Sequence, residues 1–263
     1  VTADITPDQP VALDGHRGLR ISNKVESPIT ATVLALESRE GERSLDQAIV
    51  VSCELVGVRT GILEKVRDAV KGRLPGFALS KLFLCATHTH NAPVTLEGRY
   101  TLPDSGIMKP AAYVEFMIGR VGDAIVESWK KRAPGKVAWG LGHAVVACNR
   151  RATYADGTAA MYGATGTPEF RGIEGYEDHS VNVLATYDPA GALTGVVVNV
   201  PCPSQVIENE YRYSPDYWHQ TRQALRRRFG DGLFVLPQCS TAGDQSPHIL
   251  YEKEALRRME RLR

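Results

Sequence analysis

The chain has 263 residues, which is long enough to bury a full hydrophobic core in one large domain or two small ones. Lys plus Arg total 31 and Asp plus Glu total 30, so the chain as a whole carries no field that attracts nucleic acid or an anionic membrane. No run approaches the roughly 20 apolar residues that a transmembrane helix needs. We therefore expect a small-molecule partner, and the sequence leaves the oligomeric state open.

The two ends of the sequence and its cysteines limit the domain organisation and the compartment. The chain begins at Val1 without a basic-then-apolar leader, so secretion or a periplasmic location after removal of a leader stays open. Near the other end, Leu256, Met259 and Leu262 recur at helical spacing. We expect one domain over residues 1–263, truncated at its C-terminal end. The five cysteines are widely spaced among apolar runs and predict free thiols.

The apolar pattern, taken in chain order, predicts an α/β fold with a mixed β-sheet core flanked by helices. Two β-branched runs, residues 29–36 and 47–55, predict a hairpin with a charged turn. A Gly-rich polar segment, residues 150–178, interrupts the later elements and predicts a loop on the substrate side. The remaining predicted elements are helices at 58–74, 113–129 and 217–229, and strands at 79–86, 137–148, 181–188, 192–200 and 233–239.

The stretch "LFLCATHTHNAP" places His88 and His90 at the C-terminal end of a predicted strand, where α/β folds place ligand sites. Residues two apart in an extended chain point to the same face, so both imidazoles can face one metal ion or one substrate. The alternative is a pair of loop histidines that hydrogen-bond to backbone groups.

A second candidate, "CSTAGDQSPH", follows another apolar strand and presents Asp244, Ser246 and His248 beyond its end. A serine there can act as a nucleophile or as a transition-state donor if a base or a metal adjoins it. The alternative is an ordinary turn, because Gly, Asp, Ser and Pro are common turn formers. The glycines of the Gly-x-Ser-x-Gly elbow are missing.

A third candidate is the helix start "SPDYWH", in which His219 follows Asp216 by three residues and lies on the same helix face. An Asp-x-x-His pair at a helix entrance can hold a divalent ion. The alternative is that Asp216 caps the helix and that His219 packs against its neighbours.

Taken in order, these pieces resemble the catalytic N-terminal domain of the neutral/alkaline non-lysosomal ceramidases, zinc-dependent amidases that cleave the N-acyl bond of ceramide. The matching stretches run from residue 3 to residue 247 in the order of that family: "ADITP" with "LDGH", "IVVSCEL", "LFLCATHTHNAP", "CNRRATY" and "CSTAGDQSP". The resemblance implies a ceramidase-like fold and a bound Zn²⁺ ion.

The resemblance also implies roles for individual residues. His88 would be a zinc ligand, and His90 a catalytic neighbour that hydrogen-bonds the scissile group. Ser246 would be the active-site serine, with Asp244 beside it in the same motif. The implied substrate contacts are Gly15, Asn149 and Arg150.

One position departs from the family pattern. The second zinc histidine of the family would fall near Pro203, but residues 196–210 contain no histidine. We expect Asp216 or His219 to replace this ligand, and we favour His219. The polar composition of residues 150–178 also indicates a substrate other than ceramide itself.

Three functions therefore compete. The leading one is a zinc-dependent hydrolase that cleaves an amide bond by metal-activated water, with help from serine and histidine. Its expected substrate is an N-acyl lipid, another amide or a glycoconjugate, and an ester or glycosidic bond is the alternative to the amide. The second is a metal-free serine hydrolase that uses Ser246 with Asp244 and a histidine. The third is a binding domain that keeps the ceramidase scaffold after its zinc site has decayed.

Overall fold

A computed structural model describes residues 1–250. The α-helices in this range are α1 (Ile62–Val70), α2 (Pro110–Lys130) and α3 (Tyr217–Phe229), and a 3₁₀ turn spans Leu79–Lys81. The strands are β1 (Thr2–Asp4), β2 (Val11–Leu13), β3 (Arg20–Ser22), β4 (Thr30–Glu40), β5 (Arg43–Cys53), β6 (Leu82–Ala86), β7 (Lys136–His143), β8 (Cys148–Asn149), β9 (Arg151–Tyr154), β10 (Ala159–Met161), β11 (Phe170–Ile173), β12 (Ser180–Tyr187), β13 (Leu193–Val200), β14 (Phe234–Cys239) and β15 (Gln245–Ser246).

Two four-stranded sheets form the centre of the fold. The first has the order β1-β4-β5-β6, in which only the β5–β6 pair is parallel. The second has the order β14-β13-β12-β7, in which only the β13–β14 pair is parallel. The predicted α/β class with mixed sheets is confirmed.

The main core lies between the first sheet and helices α1 and α2. Ile49 and Val51 alternate along β5 and face the same side, where they join Val66 of α1 with Met117 and Ile125 of α2 in one buried cluster. The second sheet lies near the first through β14, and the Ser52 hydroxyl of β5 donates to the Pro237 carbonyl at 2.5 Å. The result is a helix layer and two sheets, which brings the ends of β6 and β13 close together.

The segment predicted as a loop at residues 150–178 contains three short strands, which pair in the order β10-β9-β11. The prediction missed them because Gly and charged residues weaken the strand pattern. The predicted hairpin of β4 and β5 is confirmed, but both strands extend into the charged segment and turn at Gly41, which has a φ of 58°.

All five cysteines are free thiols, as the sequence predicts. In the part of the chain that the structure covers, no helix combines the length and the apolar character needed to cross a membrane. The helical spacing of Leu256, Met259 and Leu262 lies outside the described residues.

Candidate metal centre

A cavity of about 750 Å³ opens beyond the C-terminal ends of the parallel strands β5 and β6. His88 and His90, which follow β6, both line it. Both histidine side chains therefore face the same cavity.

His88 is held by its backbone and by one ring nitrogen. Its φ is 63°, in the left-handed region that non-glycine residues rarely adopt and that is enriched at functional sites. The Nδ1 atom lies 2.7 Å from the Val56 carbonyl oxygen and must donate to it, because a carbonyl only accepts. Burial and then the charge of His90 lower the pKa of His88. The neutral ring therefore leaves its Nε2 lone pair free.

His90 is buried, and its ring proton lies on Nδ1, as it does in His88. The Gln205 side-chain amide donates to Nε2 at 2.8 Å, so this nitrogen accepts, and the ring proton lies on Nδ1. Nδ1 in turn lies 2.9 Å from the carboxylate of Glu208. His90 thus directs one nitrogen to the Glu208 carboxylate and the other to the Gln205 amide, which a metal ion bound at Nε2 would displace.

The two Nε2 atoms of His88 and His90 lie 3.4 Å apart. Two imidazoles bound to one tetrahedral zinc ion at about 2.0–2.1 Å place their nitrogens roughly 3.3–3.4 Å apart. Zinc-bound histidines almost always donate their other ring N–H to a carbonyl or a carboxylate, as His88 does to Val56 and His90 to Glu208. This donor pair fits a zinc ion.

Gly15 supports His90 from behind. It has a φ of 97°, and a Cβ atom added to it would lie 2.3 Å from Cγ of His90. Only glycine therefore lets the ring occupy this position. The predicted lining role of Gly15 agrees with its place in the cavity wall.

His16, His90 and Glu208 form a second compact group, whose ligand-type atoms all lie within 4.8 Å of one another. Nε2 of His16 is buried without a hydrogen bond and lies 3.8 Å from the Glu208 carboxylate. Burial acts to raise the pKa of Glu208, but the hydrogen bond from His90 and the charges of His90 and His16 lower it overall. In this group the Nδ1 atom of His90 lies at hydrogen-bond distance from Glu208, so we assign the group to the support of the histidine pair.

Arg150 lines the cavity, and Asn149 lies just behind it. The Arg150 guanidinium donates to the Tyr162 hydroxyl at 2.7 Å and to the Gly243 carbonyl at 2.9 Å. The Asn149 amide donates to the Asp244 carboxylate at 3.0 Å. Asp244 therefore orients the Asn149 segment, and the structure shows no contact from it to a histidine within residues 1–250.

Ser246 is fully buried and is not part of the cavity wall. Its Oγ accepts the His248 backbone N–H at 3.0 Å, and the His248 ring contacts the Gln205 carbonyl oxygen at 2.8 Å. The serine segment thus connects to Gln205, which contacts His90. This placement gives Ser246 a link to the histidine pair without exposing its hydroxyl to the cavity.

Asp216 and His219 do not reach this cavity. The Asp216 carboxylate accepts the backbone N–H groups of Tyr217 at 2.8 Å and of Ile207 at 2.9 Å, so both of its oxygens are engaged. His219 instead contacts Gln223 one helical turn away. The expected replacement of the missing histidine by this pair is corrected: Asp216 caps α3 and holds the loop that carries Gln205 and Glu208.

Sequence reasoning missed His16, Gln205 and Glu208. His16 belongs to the "LDGH" landmark, and Glu208 lies within residues 196–210, where only a histidine was sought. A search of that segment for carboxylates would have found Glu208, because carboxylates orient or replace zinc-bound histidines.

Solved structures share this fold. The neutral ceramidase from Pseudomonas aeruginosa matches with a TM-score of 0.73 and 20% identity, over 96% of this chain and 39% of the enzyme. The fold is ceramidase-like. A ceramidase complexed with C2 matches with a TM-score of 0.67 and 21% identity, over 94% of this chain and 38% of that protein. This ceramidase-like chain thus spans about two fifths of the proteins it matches. No family model matches it, and no curated protein does.

Proposed function

We propose that this chain carries the metal centre of a zinc-dependent hydrolase that cleaves the amide bond of an N-acyl compound. The observation that carries the proposal is the pair of Nε2 atoms, 3.4 Å apart, at the end of β6. Two further observations support the proposal. The fold is ceramidase-like, and the histidine pair lines a cavity large enough for a small molecule.

His88 and His90 would hold the zinc ion through their Nε2 atoms. A bound zinc ion supplies a Lewis acid that polarises a carbonyl and brings the pKa of a water molecule down to roughly 7. Val56 and Glu208 hold the protons on the two Nδ1 atoms, which leaves the Nε2 atoms as the acceptor nitrogens; at His90 the zinc ion would replace the Gln205 amide. Arg150 and Tyr162, which line the same cavity and are hydrogen-bonded to each other, orient the substrate.

The metal-free serine mechanism lacks its geometry within residues 1–250. A serine nucleophile needs a histidine base at hydrogen-bond distance and access to the substrate. Ser246 instead accepts a backbone N–H, and the Asp244 carboxylate is bonded to Asn149. We therefore propose a positioning role for Ser246 and Asp244 through the Gln205 and Asn149 segments.

Zinc content tests the proposal, measured by elemental analysis and by titration of metal-free protein. We expect His88→Ala to lose stoichiometric zinc because it removes one of the two ligands. Glu208→Gln should weaken zinc affinity by about 10- to 100-fold, the range seen when a group that orients a ligand is lost. His219→Ala is the matched control, since its ring lies outside the cavity, and should retain zinc.

The variant His16→Ala distinguishes zinc bound by His88 and His90 from zinc bound by the group of His16, His90 and Glu208. If zinc were bound instead by the His16, His90 and Glu208 group, His16→Ala would lose the metal and His88→Ala would keep it. A protein that binds no zinc and cleaves no N-acyl substrate would instead support the non-catalytic binding domain.

A further inference from the structure

The wall of the cavity is rich in positive charge. Among the described residues, it carries four arginines, Arg17, Arg59, Arg99 and Arg150, and two carboxylates, Asp14 and Glu208. Arginine stays protonated in proteins, so the guanidinium groups outnumber the carboxylates that face the same space. A cavity with this surplus favours an anionic ligand.

Arg150 gives the strongest evidence. It is 8% exposed, and its guanidinium donates to neutral acceptors: the Tyr162 hydroxyl, the Gly243 carbonyl and the Gln205 side-chain oxygen at 3.4 Å. No carboxylate lies within ion-pair distance of it in residues 1–250. A buried cation without a counter-charge is costly, and an anionic ligand in the cavity would remove that cost.

Two of the other arginines, Arg59 and Arg99, share a single counter-charge. The buried Asp14 carboxylate lies 2.7 Å from Arg59 and 3.7 Å from Arg99, so one negative charge faces two guanidinium groups. Arg17 is exposed, and within the described residues it forms no ion pair. The planar guanidinium fork suits the two oxygens of a carboxylate or a phosphate.

The arginines lie close to the histidine pair, and this indicates where the anionic group lies on the substrate. Gln205 contacts both Arg150 and the Nε2 atom of His90. Arg99 donates to the backbone oxygen of His16 at 2.9 Å, beside Gly15 and His90. The surplus charge therefore lies next to the two histidines.

We propose that the substrate is an N-acyl compound that carries an anionic group, a carboxylate or a phosphate, close to the amide bond that is cleaved. The proposal rests on the function proposed above. It separates this chain from hydrolysis of ceramide, which has no charged group.

Binding tests the substrate class separately from catalysis. Isothermal titration of the 263-residue chain, with and without added zinc, would use N-acetylglycine, its neutral counterpart N-acetylglycinamide, and inorganic phosphate. We expect at least one anion to bind about tenfold or more tightly than the neutral amide, because hydrogen bonds to charged groups are the stronger kind. Tighter binding of N-acetylglycine indicates a carboxylate, and tighter binding of phosphate indicates a phosphate.

Arginine variants complete the test. Arg150→Gln should remove the preference for the anion, and Arg17→Gln, at an exposed position where misfolding is not expected, should reduce it. Arg120→Gln, on the exposed face of α2, is the control and should retain the preference. Equal affinities for the anions and the neutral amide, or anion binding unchanged in both cavity variants, would overturn the proposal. If the protein gives such a result but still binds zinc, only the proposal of an anionic substrate is rejected, and the proposed metal centre stands.

Discussion

Replacing Glu54 by Ala is expected to destabilise the protein by about 3–5 kcal/mol, the range for breaking a buried ion pair by removal of one partner. Glu54 has no exposed surface and accepts a hydrogen bond from Arg222 of α3, which is also buried. Its other oxygen accepts the backbone N–H of Thr30 at 2.5 Å. The substitution leaves the Arg222 charge without a partner between α3 and the first sheet.

Urea unfolding monitored by circular dichroism measures this loss. The exposed ion pair of Glu115 with Lys65, at 2.8 Å, provides the control, and Glu115→Ala should change stability by less than about 1 kcal/mol. The double variant Glu54→Met with Arg222→Met should be more stable than Glu54→Ala, because it leaves no unpaired charge. Equal stability of Glu54→Ala and Glu115→Ala would contradict this account of the buried pair.

Replacing Gly15 by Ala is expected to weaken zinc binding by about 10- to 100-fold, as for other losses of the groups that orient a metal ligand. The new Cβ atom would overlap the His90 ring, and a φ of 97° is itself unfavourable for alanine. His90 must therefore move, which separates its Nε2 from that of His88.

Gly18→Ala is a matched control in the same loop. A Cβ atom added at Gly18 would have no neighbouring atom within 4 Å, and the backbone there has no positive φ, so this variant should bind zinc as the unmodified chain does. Zinc titration followed by thermal unfolding separates loss of the site from loss of the fold. Unchanged zinc affinity in a folded Gly15→Ala protein would show that His90 does not need its present position.

The elements that the sequence predicts well have strong local patterns. The hairpin of β12 and β13 has two apolar runs joined by a tight Pro-Ala-Gly turn, and α3 is preceded by Pro215 and the capping Asp216. The position of the histidine pair at the end of β6 was also predictable from the apolar run before it, although the left-handed backbone of His88 is not the extended conformation that the sequence suggested. In each case the deciding interactions lie within a few residues in the chain.

The support of the site could not be predicted in the same way. Gln205 and Glu208 reach His90 from a loop more than a hundred positions away, and Gly15 reaches it from the opposite end of the chain. These contacts depend on how the two sheets pack. The Asp216 prediction failed for a related reason: its carboxylate accepts backbone N–H groups of α3 and of the Gln205 loop, which helix spacing does not reveal.

A crystal structure of the chain soaked in zinc, with anomalous data collected at the zinc absorption edge, tests the metal centre most directly. We expect an anomalous peak bonded to Nε2 of His88 and Nε2 of His90, with Glu208 remaining on Nδ1 of His90. A peak bonded to His16 and Glu208 on the opposite side of the His90 ring, or no peak in this cavity, would contradict it.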